Sequence, residues 1–150
     1  MKIQEKDLFH GAALTQIVEH ESFKALNKAD EKYGHYQVNH DRRLLVKHSK
    51  AESNAGTQIW SFTFKPDDIE ILIKDVKGGA KIFVCLVCGA VSVCILNQEE
   101  ISTILDLGSS AVQWVRVELP GGGSLHVRGS AGKLPRTVPH SAFPAKVFSA

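Results

Sequence analysis

The chain reads as a single α+β domain over residues 1–150, and three features of the sequence predict it. Short segments with apolar side chains at every second position recur along it, as in "IWSFTF", where Trp60, Phe62 and Phe64 share one face. Helical signals are confined to three stretches, 9–28, 66–77 and 98–106. The strands mostly follow one another in sequence with few helices between them, which favours a mixed or antiparallel sheet with the helices packed on it. The expected order is αβββαβ, then βαββ, then an extended tail over 131–150.

Each element has a local reason. In "LFHGAALTQIVEHESFKALNKA", Leu14, Ile17, Val18 and Ala25 fall on one helical face. "YGHYQVNHDRRLLVKHSK" reads as a hairpin. Tyr36 and Val38 share a face of its first strand, and Leu44, Val46 and His48 a face of its second. "NHDR" between them carries the Asn and Asp that tight turns favour. "AESNAGTQ", 51–58, is a loop leading to the strand of Trp60. "KPDDIEILIKDVKGG" is the clearest helix. Pro66 suits a first turn, Asp67 and Asp68 complement the positive helix end, and Lys74 and Lys77 the negative end. Ile69, Leu72, Ile73 and Val76 form its apolar stripe, and Gly78 and Gly79 end it.

"KIFVCLVC" and "VSVCILN" are strands parted by Gly89 and Ala90. Asn97, with Glu100 three residues on, has the pattern of a capping box opening a short helix. "AVQWVRVELP" and "SLHVRGS" make a second hairpin across the glycines at 121–123. Prolines interrupt the tail, and Phe143, Val147 and Phe148 are expected to dock on the body.

Composition narrows the function classes. A formal charge of +2 over 150 residues implies neither a nucleic-acid nor a membrane partner by itself; only local clustering does. No stretch approaches the roughly 18 apolar residues of a membrane span. The charged N-terminus lacks the apolar run of a signal peptide. Three cysteines are too few, and odd in number, for a disulfide framework. A cytoplasmic protein without cofactor is expected.

"CLVCG" has the spelling of a zinc knuckle, but no second pair follows, and residues three apart in a strand point to opposite faces. Cys85, Cys88 and Cys94 are therefore read as buried strand residues, with no metal. Other motifs fail on single positions. "HESFK" has Lys24 where a zinc-protease helix needs His. "GGGSLHVRG" has His126 where a nucleophile elbow needs Gly. "GSAGKLP" has Leu134 where a phosphate loop needs Ser or Thr. His35, His40 and His48 flank the first hairpin. His35 and His40 fall on opposite faces of a straight strand and are read as surface or partly packed.

The basic residues are more suggestive. Arg42, Arg43, Lys47 and Lys50 lie within nine residues. Arg116, His126 and Arg128 line one face of the second hairpin, with Lys133 and Arg136 following in the tail. Two exposed patches of this kind can track a phosphate backbone, so DNA or RNA is the expected partner. The plainer reading is a solvated sheet face with Asp41, Glu52 and Glu118 as counter-charges.

The order αβββαβ of the first ninety residues, with "RRLLVKHSKAESNAGTQIWSFTFKPDDIEIL" at its centre, resembles the core of the PD-(D/E)XK nuclease superfamily. In such proteins a strand ending in an acid-x-Lys triplet leads through a loop to an aromatic strand and a helix. The acids hold magnesium and the lysine assists attack by water. Lys47 matches the motif lysine and is the catalytic candidate the resemblance implies. Leu45 stands at the second-acid position, and the earlier acid has no match. The resemblance thus implies a nucleic-acid-binding relative with a degenerate metal site. The alternative is a small-molecule- or protein-binding module without enzymatic activity, with pairing of two copies as one form of it. A basic groove would favour the first reading; a deep apolar pocket would favour the second.

Overall fold

The computed structural model describes residues 1–54 and 56–150. The chain runs through α1 (Glu5–Val18), β1 (Leu26–Lys28), β2 (His35–Val38), β3 (Arg42–Ser49), β4 (Glu52–Asn54), β5 (Thr57–Phe64) and α2 (Pro66–Lys77). It continues through β6 (Lys81–Cys88), β7 (Ser92–Asn97), α3 (Gln98–Ile104), β8 (Gln113–Pro120), β9 (His126–Gly129) and β10 (Gly132–Lys133). Two short 3-10 turns, His140–Ala142 and Ala145–Phe148, close the tail.

The strands form two five-stranded sheets. Sheet A has the order β1-β2-β3-β6-β7, and sheet B the order β10-β9-β8-β5-β4. Sheet B is antiparallel throughout. Sheet A is mixed, because its central pair, β3 and β6, is parallel. The chain leaves β3, passes through sheet B and α2, and returns alongside β3, the kind of long crossover that parallel neighbours need.

The sequence explains why each sheet lies where it does. From Ile82 to Cys88 every residue of β6 is buried, the mark of a strand covered on both faces. One face of sheet A, carrying Leu45, Val84 and Leu86, packs with Trp60, Phe62 and Val115 of sheet B and with Leu72 of α2 and Ile101 of α3. The other face, carrying Leu44, Val46 and Phe83, packs with Ala13 and Ile17 of α1 and with Phe143 and Val147 of the tail. Strands of sheet B have one apolar and one polar face, so that sheet turns its outer side to solvent.

This arrangement places the cysteines. Cys85 enters the core under α1, while Cys88 and Cys94 enter the core shared with sheet B. Cys85 and Cys88 therefore do point to opposite faces of β6.

The α+β class, the mixed and antiparallel pairing and the three α-helices are as the sequence predicts. Four details differ. The strands divide between two sheets instead of one, and β5 joins β8 where a continuous meander would have kept it beside β3. The first helix covers 5–18, not 9–28. Its buried residues are His10, Ala13 and Ile17, whereas Val18 is exposed. The four residues after Val18, Glu19 to Ser22, are all polar and interrupt the stripe, and Leu26–Lys28 pair with β2 as an edge strand. Asn39 holds that turn by accepting the Lys24 and Ala25 amides on its side-chain oxygen. The third helix stops at Ile104. The expected 51–58 loop contains β4 and the start of β5; Ala55 within it lies outside the described residues. Among the described residues, no helix is long and apolar enough to cross a membrane.

Candidate nucleic-acid interface and the cleft around Lys47

β4 pairs only with Thr57–Ile59. Among the described residues, the remainder of that edge of β5 has no strand beside it. Lys47, on the face of β3 turned toward sheet B, reaches this edge. Its ammonium donates to the Thr63 carbonyl at 2.9 Å and lies 3.0 Å from Asp68 Oδ2. Asp68 occupies the first turn of α2, where its carboxylate also accepts the Lys65 amide at 2.9 Å, as acids at helix N-termini do. Lys32 approaches its other oxygen at 3.0 Å and reaches Asp67 at 2.7 Å. The Asp68 side chain is only 3% exposed. Burial works against its charge, but the Lys47 ammonium, the Lys65 amide and Lys32 outweigh burial and hold its pKa below the usual carboxylate range.

These groups line a cleft of about 470 Å³ together with His10, Tyr33, His48 and Lys65. His10 Nε2 lies 3.3 Å from His48 Nδ1. Burial, then the neighbouring His48 and Lys6, push the pKa of His10 down to about 4, so its imidazole is neutral at pH 7. Leu45, at the second-acid position of the nuclease-like motif, is buried in the core. Among the described residues no three His, Cys, Asp or Glu side chains gather as a metal site would require.

The basic run on β3 separates into distinct environments, because neighbouring strand residues face opposite ways. Arg42 is 9% exposed and is bound to the tail. Its Nε donates to the Val147 carbonyl at 2.6 Å, and Nη2 to the Phe148 and Ser149 carbonyls at 3.3 and 2.6 Å. Arg43, on the other face, donates to Asp75 at 3.1 Å and to Gln37 at 3.2 Å. Asp75 also lies 2.6 Å from His35 Nε2. Burial disfavours charge on His35, but Asp75 and Asp30 outweigh it and raise its pKa. Lys47 belongs to the cleft. Lys50 alone of the four is well exposed, 3.1 Å from Glu5. The four do not form one patch.

The second basic group is brought together. Arg116 on β8 is directly opposite Arg128 on β9, and Arg128 is directly opposite Lys133 on β10. On its other side Arg116 faces Ser61 of β5, which also lines the cleft. Three cations thus stand in register across adjacent strands. Like charges placed opposite one another destabilise a sheet. Among the described residues the one acid paired with the row is Glu118, 3.7 Å from Arg128. Trp114, two residues before Arg116 on the same face, is 43% exposed, and the Arg116 guanidinium lies 5.8 Å from its ring centre.

Asp68, Lys32 and His10 of the cleft were not legible as a group, since they come from three separate segments. Trp114 was legible: the alternation "WVRVE" sets Trp114, Arg116 and Glu118 on the face opposite Val115 and Val117. A separate groove of about 620 Å³ beside α1 is lined by Leu8, Phe9, Ala12, Val91 and Phe143, among others. No protein-family model, curated protein or solved structure matches the chain.

Proposed function

We propose that this protein binds nucleic acid through the outer face of sheet B. The observation that carries the reading is the row Arg116–Arg128–Lys133. Three cations held opposite one another are unfavourable in the free protein and become favourable beside a polyanion. The Arg42 half of the basic sequence takes no part, because it is occupied within the fold. Lys47 is a partner of Asp68 and of the open edge of β5, and the cleft it lines adjoins the row at Ser61.

Binding titrations at several salt concentrations test this. Three phosphate contacts give a slope of log affinity against log salt of about −2.7 on duplex, or about −2.1 on a single strand. Arg116→Ala with Arg128→Ala should flatten the slope by about 1.4 to 1.8 and weaken binding on all sequences alike. Absence of binding to both DNA and RNA at low salt, or unchanged binding by the double variant, refutes the reading. Retention of acidic proteins or anionic vesicles without nucleic acid would assign the row to another polyanion. The apolar groove beside α1 is the observation favouring a small-molecule-binding module. An apolar fluorescent probe displaced by Leu8→Glu would test that alternative.

A further inference from the structure

We infer that the nucleic acid bound on sheet B is single-stranded, with a base stacked on Trp114 while its backbone follows Arg116, Arg128 and Lys133. This rests on the nucleic-acid reading above and deepens it. The chain has two tryptophans. Trp60 is fully buried between the sheets, whereas Trp114 sits on the polar outer face. It lies on β8, the central strand of the five, with exposed Thr63 opposite it on β5. The exposed Val112 precedes it. Nothing in the core requires an indole there, since the residues turned inward from β8 are Gln113, Val115 and Val117.

The shape of the element decides between duplex and single strand. A duplex major groove, about 12 Å wide, admits a helix or a two-stranded ribbon. At the row Lys133–Arg128–Arg116–Ser61 four strands lie side by side, three spacings of about 4.8 Å or roughly 14 Å across, wider than that groove, and Trp114 stands two residues along β8 from the row. A duplex laid on this face would offer only its phosphates, and its stacked bases would stay out of reach of the indole. A single strand has unstacked bases, each with a π-face, and aromatic side chains beside cations are the usual platform for them. The Arg116 guanidinium beside the ring then meets the phosphate of the nucleotide whose base covers Trp114.

The two tryptophans make the test direct, because only Trp114 is open to a ligand. Intrinsic fluorescence is followed while ten-nucleotide oligo(dT) or oligo(U), or a duplex of matched length, is titrated at fixed low salt. Quenching by the single strand is expected, with affinity at least tenfold above that for the duplex. Trp114→Ala should weaken single-strand binding by about tenfold or more, as loss of one stacked base does. It should leave the weak duplex binding and its salt slope unchanged. Trp114→Phe, which keeps a ring, should recover most of the affinity, and melting curves verify that both variants are folded. Equal affinity for duplex and single strand, or a Trp114→Ala variant that binds single strands as wild type does, overturns the single-strand inference and leaves the cation row standing. Failure of both forms to bind wild type overturns both readings together.

Discussion

Arg42 and Val147, 105 residues apart, are joined by a 2.6 Å hydrogen bond from the guanidinium Nε to the backbone carbonyl. With the Phe148 and Ser149 carbonyls on Nη2 and Asp41 on Nη1, the side chain satisfies the end of the chain against sheet A. Hydrogen bonds to charged groups contribute about 1.5–3 kcal/mol each, so Arg42→Ala is expected to cost about 3 kcal/mol. Thermal melting and limited proteolysis of the tail check this. Arg42→Lys should recover little of the loss, because an ammonium does not reproduce the planar fork.

Gly34 gives a second test. Its φ is +86°, and a Cβ built on it would stand 2.6 Å from the Val46 carbonyl oxygen and 3.1 Å from the His10 ring. Gly34→Ala should therefore cost about 2–3 kcal/mol, from strained backbone and overpacking together. Gly79 has a similar φ of +83° but open space around it. Gly79→Ala should cost only about 1 kcal/mol. A difference in melting temperature between the two variants measures the close approach of Gly34 to β3.

Two histidines tilt stability with pH in opposite directions. His10 is depressed to about 4 by burial and by nearby positive charge. Between pH 6.5 and 4 the unfolded chain takes up a proton there that the folded chain refuses, so stability falls as pH falls through that window. His35 is raised by Asp75 and Asp30 against the cost of burial. Its contribution is complete below pH 6.5 and is lost as pH rises through its folded value. His10→Asn should flatten the acid limb of a stability–pH profile, and His35→Asn the alkaline limb. Denaturant midpoints at half-unit pH steps separate the two.

The thiols should be inert in the native protein. Cys85, Cys88 and Cys94 are all buried. Burial pushes each thiol pKa up, that of Cys88 to about 12, so the reactive thiolate is scarce at neutral pH. A thiol reagent should label none of the three within minutes at pH 7.5 and all three in denaturant. Protein purified without added zinc should carry well below one equivalent of metal, because Cys85 and Cys88 lie in different cores. Stoichiometric zinc lost on Cys88→Ser would refute that placement.

Local pattern carried the fold further than the site. The stripe of α2, the box at Asn97, the hairpin at Asn39 and the two-sided burial of β6 are all set by residues within a few positions of one another, and all are visible in the sequence. The division into two sheets is not, because an alternating strand such as β5 fits any sheet with one covered face. The same holds for charge. Alternation alone puts Arg116 and Trp114 on one face. No local rule indicates that Arg42 is buried against carbonyls more than a hundred residues away, or that Asp68 of a helix start meets both Lys47 and Lys32.

The parallel pairing of β3 with β6 bears on how quickly the chain reaches its native state. Arg42 is aligned with Lys81 and Ser49 with Cys88, a separation of 39 residues at each end of the ladder. Everything between them, including β5 and α2, has to be brought round before this central ladder closes. Long-range pairings of this kind slow folding, since the entropy of loop closure is lost before the contacts are gained. The β2–β3 and β6–β7 hairpins, closed by short turns, need only local contacts, so docking of one upon the other, with α2 laid across them, is expected to limit the folding rate. Substitutions such as Leu72→Ala at the α2–β6 junction should then lower the refolding rate, whereas changes in β10 should act on unfolding.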